Sequence, residues 1–139
     1  MAEAAIEPGL PIVELGAGYG SVTRFLPENT VSVERDPARL HALRTTFPAR
    51  VIHGECALNA LSALHEPTVV VSSIPSVNNP EFGALRLSVA RAMAAGTVRK
   101  LVVYTYFPIN PFAGIFPHEQ RIGFEMLNVP PAFLWSYTC

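Results

Sequence analysis

The segment Ile12-Val13-Glu14-Leu15-Gly16-Ala17-Gly18-Tyr19-Gly20-Ser21 restricts the fold more than any other stretch of the chain. Residues 12–15 read as a short buried strand that runs straight into a glycine-rich turn, and a helix over 21–26 is expected to follow. Glycine allows positive φ and a close backbone approach to a ligand, while a helix start presents free N–H groups to it. Strand, glycine turn and helix together make a nucleotide-binding device. An ordinary tight turn has the same spacing, so the weight comes from Thr30-Val31-Ser32-Val33-Glu34-Arg35-Asp36-Pro37. That is a second strand ending in acids at the distance a βαβ unit requires. Glu34 falls at its C-terminal end, where an acid is costly unless paired and where a carboxylate can take both hydroxyls of a ribose.

The chain then alternates. Asp36 and Pro37 open a helix, the aspartate as N-cap and the proline pre-set for the first turn. Leu40, Leu43 and Phe47 give that helix an apolar stripe at helical spacing. A third strand over 50–53 ends at Gly54, and a short helix over 57–64 carries Leu58, Leu61 and Leu64 on one face. The fourth strand, 68–72, is apolar without alternation, as expected of a strand covered on both faces. A long helix over 81–95, capped by Gly96, and a fifth strand over 101–106 follow. Such alternation is the signature of a parallel sheet with helices on both faces. Beyond it the pattern changes to a proline-rich aromatic loop over 107–118. Two strands over 121–127 and 132–137 come next, joined through Asn128-Val129-Pro130-Pro131. Residues 1–11 read as a frayed lead-in.

With 139 residues, half of them hydrophobic and 15% charged, the chain suits one ordered domain with a real core. The formal net charge of −1 lacks the basic surplus of a protein that grips nucleic acid. Cys56 and Cys139 have no metal-like spacing, so free thiols in a reducing compartment are expected. His41, His53 and His65 are dispersed, and no metal site is expected. No apolar run approaches the roughly 18 residues of a membrane span, and no basic-then-apolar leader precedes the first strand. The expected location is the cytoplasm.

Glu14 to Gly20 after the first strand, with Glu34 after the second, resembles the class I S-adenosylmethionine-dependent methyltransferases. Within them the chain resembles bacterial phospholipid N-methyltransferases and their relatives, the ribosomal RNA adenine dimethylases. Three further stretches carry the resemblance. His53-Gly54-Glu55-Cys56-Ala57 sits where the family has a glycine–acid pair after strand three. Ser72-Ser73-Ile74-Pro75-Ser76 resembles its short turn after strand four, and Gly123-Phe124 through Pro131-Ala132 resembles its C-terminal hairpin. The resemblance implies a Rossmann-like three-layer α/β/α sandwich. Its seven-stranded sheet has order 3-2-1-4-5-7-6 and an antiparallel C-terminal strand. Departures are also visible. The family has several dozen residues before strand one that help close the site, here replaced by 1–11. Its usually basic loop after strand five is here Phe107, Pro108, Ile109, Pro111, Phe112, Ile115, Phe116 and Pro117. The acid after Gly54 is one methylene longer than the usual aspartate.

S-adenosylmethionine is thus the expected cofactor. The competing dinucleotide fingerprint wants its last glycine three positions after the second, whereas Gly20 comes two after Gly18. Expected cofactor-binding residues are Glu14, Gly16, Ala17, Gly18, Tyr19, Glu34, Arg35, Glu55, Cys56 and Ser73. Glu14 reads either as a solvated edge acid or as a partner for the methionine ammonium or a backbone amide. Glu55 is either an exposed turn residue or, by the resemblance, a neighbour of the adenine amino group. Cys56 reads as a small neighbour of the adenine rather than a nucleophile, having no nearby cation. Tyr19, Tyr106 and His118 are the expected catalytic residues, with Tyr104 beside them. A tyrosine can orient an amine or hold an ammonium, and histidine can accept a proton; packing roles compete for each. The expected activity is methyl transfer to a small-molecule or lipid-like acceptor, N-methylation ahead of O-methylation. A non-catalytic methyltransferase-fold binding module and an RNA methyltransferase are the alternatives. The RNA reading is weakened because the turn after strand four lacks both the asparagine and the aromatic residue of the adenine dimethylases. The aromatic loop over 107–117 reads as a pocket wall, a bilayer contact or core. With so little chain ahead of strand one, a homodimer or another protein is expected to complete the lid over the cofactor pocket, unless that loop swings over it.

Overall fold

The structure, a computed structural model, describes residues 2–125 and 132–139. Its elements run α1 (Ala2–Ala5), β1 (Ile12–Leu15), a 3₁₀ turn (Thr23–Phe25), β2 (Val31–Val33), α2 (Pro37–Thr46) and β3 (Ile52–His53). They continue with α3 (Ala57–Ser62), β4 (Thr68–Ser72), α4 (Phe82–Ala94), β5 (Val98–Thr105), β6 (His118–Glu125) and β7 (Ala132–Thr138). One seven-stranded sheet has the order β3-β2-β1-β4-β5-β7-β6. Strands β1 to β5 pair in parallel, and β7 pairs antiparallel with both β5 and β6. This is the expected three-layer architecture. The expected junction Asn128–Pro131 lies outside the described residues.

The sheet centre follows from composition. In β4 every residue is buried, because α4 covers one face while β1 and β5 flank it. Phe82, Leu85, Val89 and Met93 recur at helical spacing on the buried side of α4 and meet Leu101, Val103 and Tyr137. Gly96 closes that helix at φ 80°, a conformation that side chains disfavour. On α2, the Asp36 side chain accepts the Arg39 N–H at 3.0 Å, and Pro37 occupies the first turn, as the sequence predicts.

Three local expectations change. The helix expected over 21–26 is only the single 3₁₀ turn Thr23–Phe25. The stretch is hemmed between Gly20, at φ 89°, and Pro27, too short to offset the cost of an α-helical nucleus. The expected lead-in instead forms α1, which rests on β4 and β5, with Ala5 buried among Ile12, Val69, Val71 and Val102. The aromatic loop splits. Phe112 and Phe116 are buried against Phe82 and Tyr137, Ile115 is half-buried, and Phe107 and Ile109 face solvent. The Tyr137 hydroxyl donates to Asn110 Oδ1, which also accepts the Phe112 N–H at 3.0 Å. Burial holds the Tyr137 phenol protonated. The loop is therefore anchored to β7 and the core rather than free to swing, and its two buried phenylalanines need no second chain to cover them.

Candidate functional site

Parallel strands β1 to β5 all end at one edge of the sheet, and the turns leaving them enclose a cleft of about 310 Å³. That is within the usual range of small-molecule sites, on the order of 300–1,000 Å³. Its position at the carboxyl ends of the strands, where β1 gives way to β4, is where open α/β sheets bind ligands.

The β1 turn forms the floor. Its Gly16 and Ala17 amides donate to the Val33 carbonyl at 3.0 and 3.1 Å, stapling the turn to the end of β2. Gly16 has φ 70°, and a Cβ there would lie 2.6 Å from Ile74 Cγ1, so both conformation and space demand glycine. Gly18 has φ 60°, but nothing comes nearer than the Gly16 carbonyl at 4.0 Å. Open space therefore lies in front of a backbone free to meet a ligand.

Glu34 forms the next wall and is almost fully buried. One carboxylate oxygen accepts the Gly18 N–H at 2.8 Å, and the other accepts the Asp36 N–H at 2.9 Å. Both oxygens keep a lone pair for further donors. Glu34 thus holds the glycine turn in place and still faces the cleft. Beyond it, Arg35, Glu55 and Cys56 line the same space, the last two half-buried after β3. The turn after β4 adds Ser73, Ile74 and Pro75. The Ser73 hydroxyl is buried and has no hydrogen-bond partner among the described residues. From β5 comes Tyr104, and just past its end Tyr106, with ring centroids 5.4 Å apart in an edge-to-face pair. Tyr19 closes the circuit, 65% exposed, with the Arg39 guanidinium 6.0 Å over its ring.

Of the expected site residues, the cleft brings together Gly16, Ala17, Gly18, Tyr19, Glu34, Arg35, Glu55, Cys56, Ser73 and Tyr106. Two lie elsewhere. Glu14 is fully buried but absent from the cleft lining, and hydroxyls take its carboxylate. Thr23 Oγ1 donates to it at 2.8 Å and Ser32 Oγ at 2.7 Å. In a strand, residue 14 points to the sheet face opposite residue 15, and here that face carries the 3₁₀ turn. Burial pushes the Glu14 pKa up, against the two hydroxyl bonds and the Arg50 charge, which lower it, and with the Glu34 charge, which raises it. His118 is the second correction. It is exposed at the start of β6 opposite Thr138, which in turn pairs with Lys100. Four residues of strand, about 13 Å, separate that level from Tyr104. The histidine stands toward the wrong end of the sheet because β6, antiparallel to β7, runs in the same direction as β5, so its first residue lies at the level of the β5 start.

Sequence reasoning missed Arg39, Asn79, Glu81 and Leu85 as lining residues. They come from helices and a loop that carry no motif, and only tertiary packing brings them to the edge. Among the described residues no group of three or more His, Cys, Asp or Glu side chains could hold a metal, and no helix is long and apolar enough to cross a membrane.

No family model matches the chain, and no curated protein matches it in sequence. Solved structures do match. The 23S rRNA methyltransferase ErmE is similar at TM-score 0.69 and 21% identity, over 99% of this chain and 65% of its own. WbdD, a bifunctional kinase-methyltransferase, is similar at TM-score 0.62 and 14% identity, over 93% of this chain and 35% of its own. The fold is that of the class I methyltransferases. SMU.472, a proposed methyltransferase solved with S-adenosylhomocysteine (SAH), adds TM-score 0.62 at 9% identity, over 96% of this chain and 49% of its own. The chain thus spans between about a third and two-thirds of these relatives' lengths.

Proposed function

We propose that the chain binds S-adenosylmethionine in this cleft and transfers its methyl group to a small-molecule or lipid-like acceptor, nitrogen ahead of oxygen. The observation that carries the reading is the convergence of the open Gly18 backbone and the buried Glu34 carboxylate on one space. The residues suit such a cofactor. Spare lone pairs on Glu34 match a ribose diol, and the orphaned Ser73 hydroxyl is a polar group that a ligand would satisfy. A Cβ at Gly18 would meet no protein atom nearer than 4.0 Å, so the space in front of that backbone is left for a ligand. Glu55 and Cys56 offer a half-buried wall for the adenine.

When bound, the cofactor supplies a sulfonium methyl that needs no protein nucleophile. The chain's own part is to hold donor and acceptor in line and to keep water away. Tyr19, Tyr104 and Tyr106 are the lining groups able to orient an acceptor nitrogen by a hydroxyl, or to hold a cation against a ring. A second reading, methylation of RNA, is supported by the similarity to ErmE along nearly the whole chain and by the two tyrosine rings, which offer a stacking surface to a base. Against it, the turn Ser73-Ile74-Pro75-Ser76 carries neither an amide side chain nor an aromatic ring.

The test is tritium transfer from labelled S-adenosylmethionine into lipid, small-molecule and RNA fractions. Counts in lipid or small molecules support the first reading, and counts confined to RNA support the second. Binding of SAH with no counts in any fraction makes the protein a binding module.

A further inference from the structure

Two arginines four residues apart cross from the β2–α2 corner to opposite walls of the cleft. Arg35 Nη1 meets Glu81 Oε2 at 2.6 Å, and Arg39 lies over the exposed ring of Tyr19. All four residues line the cleft, and each is exposed. They therefore form its rim, away from the glycine-turn floor and the buried Glu34 wall. We propose that the Arg35–Glu81 ion pair is an electrostatic strap across the mouth, which must open for the nucleoside cofactor to enter or leave. The proposal rests on the cofactor reading above.

The anchor on the α4 side is built to hold. Glu81 immediately precedes α4, where an acid is favoured by the helix dipole. Its N–H donates to Asn79 Oδ1 at 3.0 Å, while Asn79 Nδ2 donates to the Pro75 carbonyl at 2.9 Å. The wall over 75–81 is thereby braced by one amide side chain. On the other side, Arg35 directly follows Glu34, whose carboxylate is fixed by two backbone amides. Two braced walls are thus joined at the rim by an ion pair between exposed side chains. Such a pair contributes little to stability and is screened by salt, which suits a contact that opens often.

The test measures SAH release by stopped flow in low and high salt, for wild type, Glu81→Gln, Arg35→Gln and the charge exchange Arg35→Glu/Glu81→Arg. Release is expected to quicken about two- to fivefold in each single variant, the range of exposed ion pairs. High salt should do the same to wild type and little to Glu81→Gln, and the charge exchange should restore slow release. Wild type that binds SAH with release unchanged by salt and by Glu81→Gln overturns the strap and leaves the cofactor reading standing. Wild type that takes up no SAH overturns both. The salt series on wild type needs no variant to fold.

Discussion

On the β1–β2 side of the cleft the contacts are made by backbone amides and one buried acid, whereas the β5 side is made of rings. The first side is tightly determined. Gly16, Ala17 and Gly18 are all tied to Val33 or Glu34, and a side chain at Gly16 has no room. The second side is set by which way each large apolar or aromatic residue faces along one strand and the loop after it. Tyr104 and Tyr106 turn to the cleft, Phe112 and Phe116 to the core, and Phe107 and Ile109 to solvent. A ligand's shared features can be read by fixed backbone, while rings on a strand edge can change with little effect on the fold. The contrast therefore suits a cofactor side that is common and an acceptor side that is particular.

The largest effect should come from mistaking one aromatic for another. Phe112→Asp places a charge where the ring is 1% exposed among Phe82, Phe116 and Tyr137, and should cost upwards of about 4 kcal/mol. That is a large share of the roughly 5–15 kcal/mol that holds a domain folded. Phe107→Asp, half-exposed in the same loop, should stay within about 0.5 kcal/mol. Urea melts of the two proteins compare them directly, and equal midpoints would contradict the assignment of the loop to core and surface parts.

Next comes the acid of the first side. Glu34→Ala removes the proposed ribose contact together with the Gly18 and Asp36 hydrogen bonds. Calorimetry with SAH should show a loss of about 1–3 kcal/mol, roughly 5- to 150-fold in Kd. Unchanged affinity would remove Glu34 from the site. Tyr106→Ala probes the other side. It should lower methyl transfer roughly two- to tenfold, the scale of one aromatic contact, with SAH affinity nearly constant. Tyr106→Phe separates ring from hydroxyl, since a variant as poor as Tyr106→Ala assigns the effect to the hydroxyl. A fall in SAH affinity with either substitution would erase the division between the two sides.

The same division explains what could be read from the chain. Alternation of short apolar runs with helices made a parallel sheet covered on both faces legible, while the order of its strands came with the resemblance carried by the glycine turn, Glu34 and the C-terminal pair. The glycine turn and Glu34 were legible because their chemistry depends on spacing within one βαβ unit. His118 was misplaced because strand direction decides which end of the sheet a residue occupies, and β6 starts at the end away from the cleft. Glu14 was misplaced because a period of two decides the face, and the partners Thr23 and Ser32 have no signature of their own. Glu81 was missed because its role arises only when the start of α4 folds back toward β2.

The smallest expected effect tests whether Glu14 belongs to the scaffold and not to the cleft. Burial raises its pKa above that of an unfolded carboxylate, so the folded state holds the proton more tightly and unfolding releases it. Stability from this group is greatest below the unfolded carboxylate pKa, declines as pH rises toward the raised folded value, and is level above it. Glu14→Gln keeps the shape and an acceptor for Thr23 but cannot ionise. The difference in unfolding free energy, Glu14→Gln minus wild type, should therefore grow with pH across that window and be flat on either side. Denaturant melts at a series of pH values measure it, and a difference that is constant throughout would show that Glu14 is not held as described. The series can also be run in a Glu34→Ala background. There the window should narrow, because the Glu34 charge is one of the influences that raise the Glu14 pKa, and Glu34 is the acid that links this buried face of β1 to the cleft.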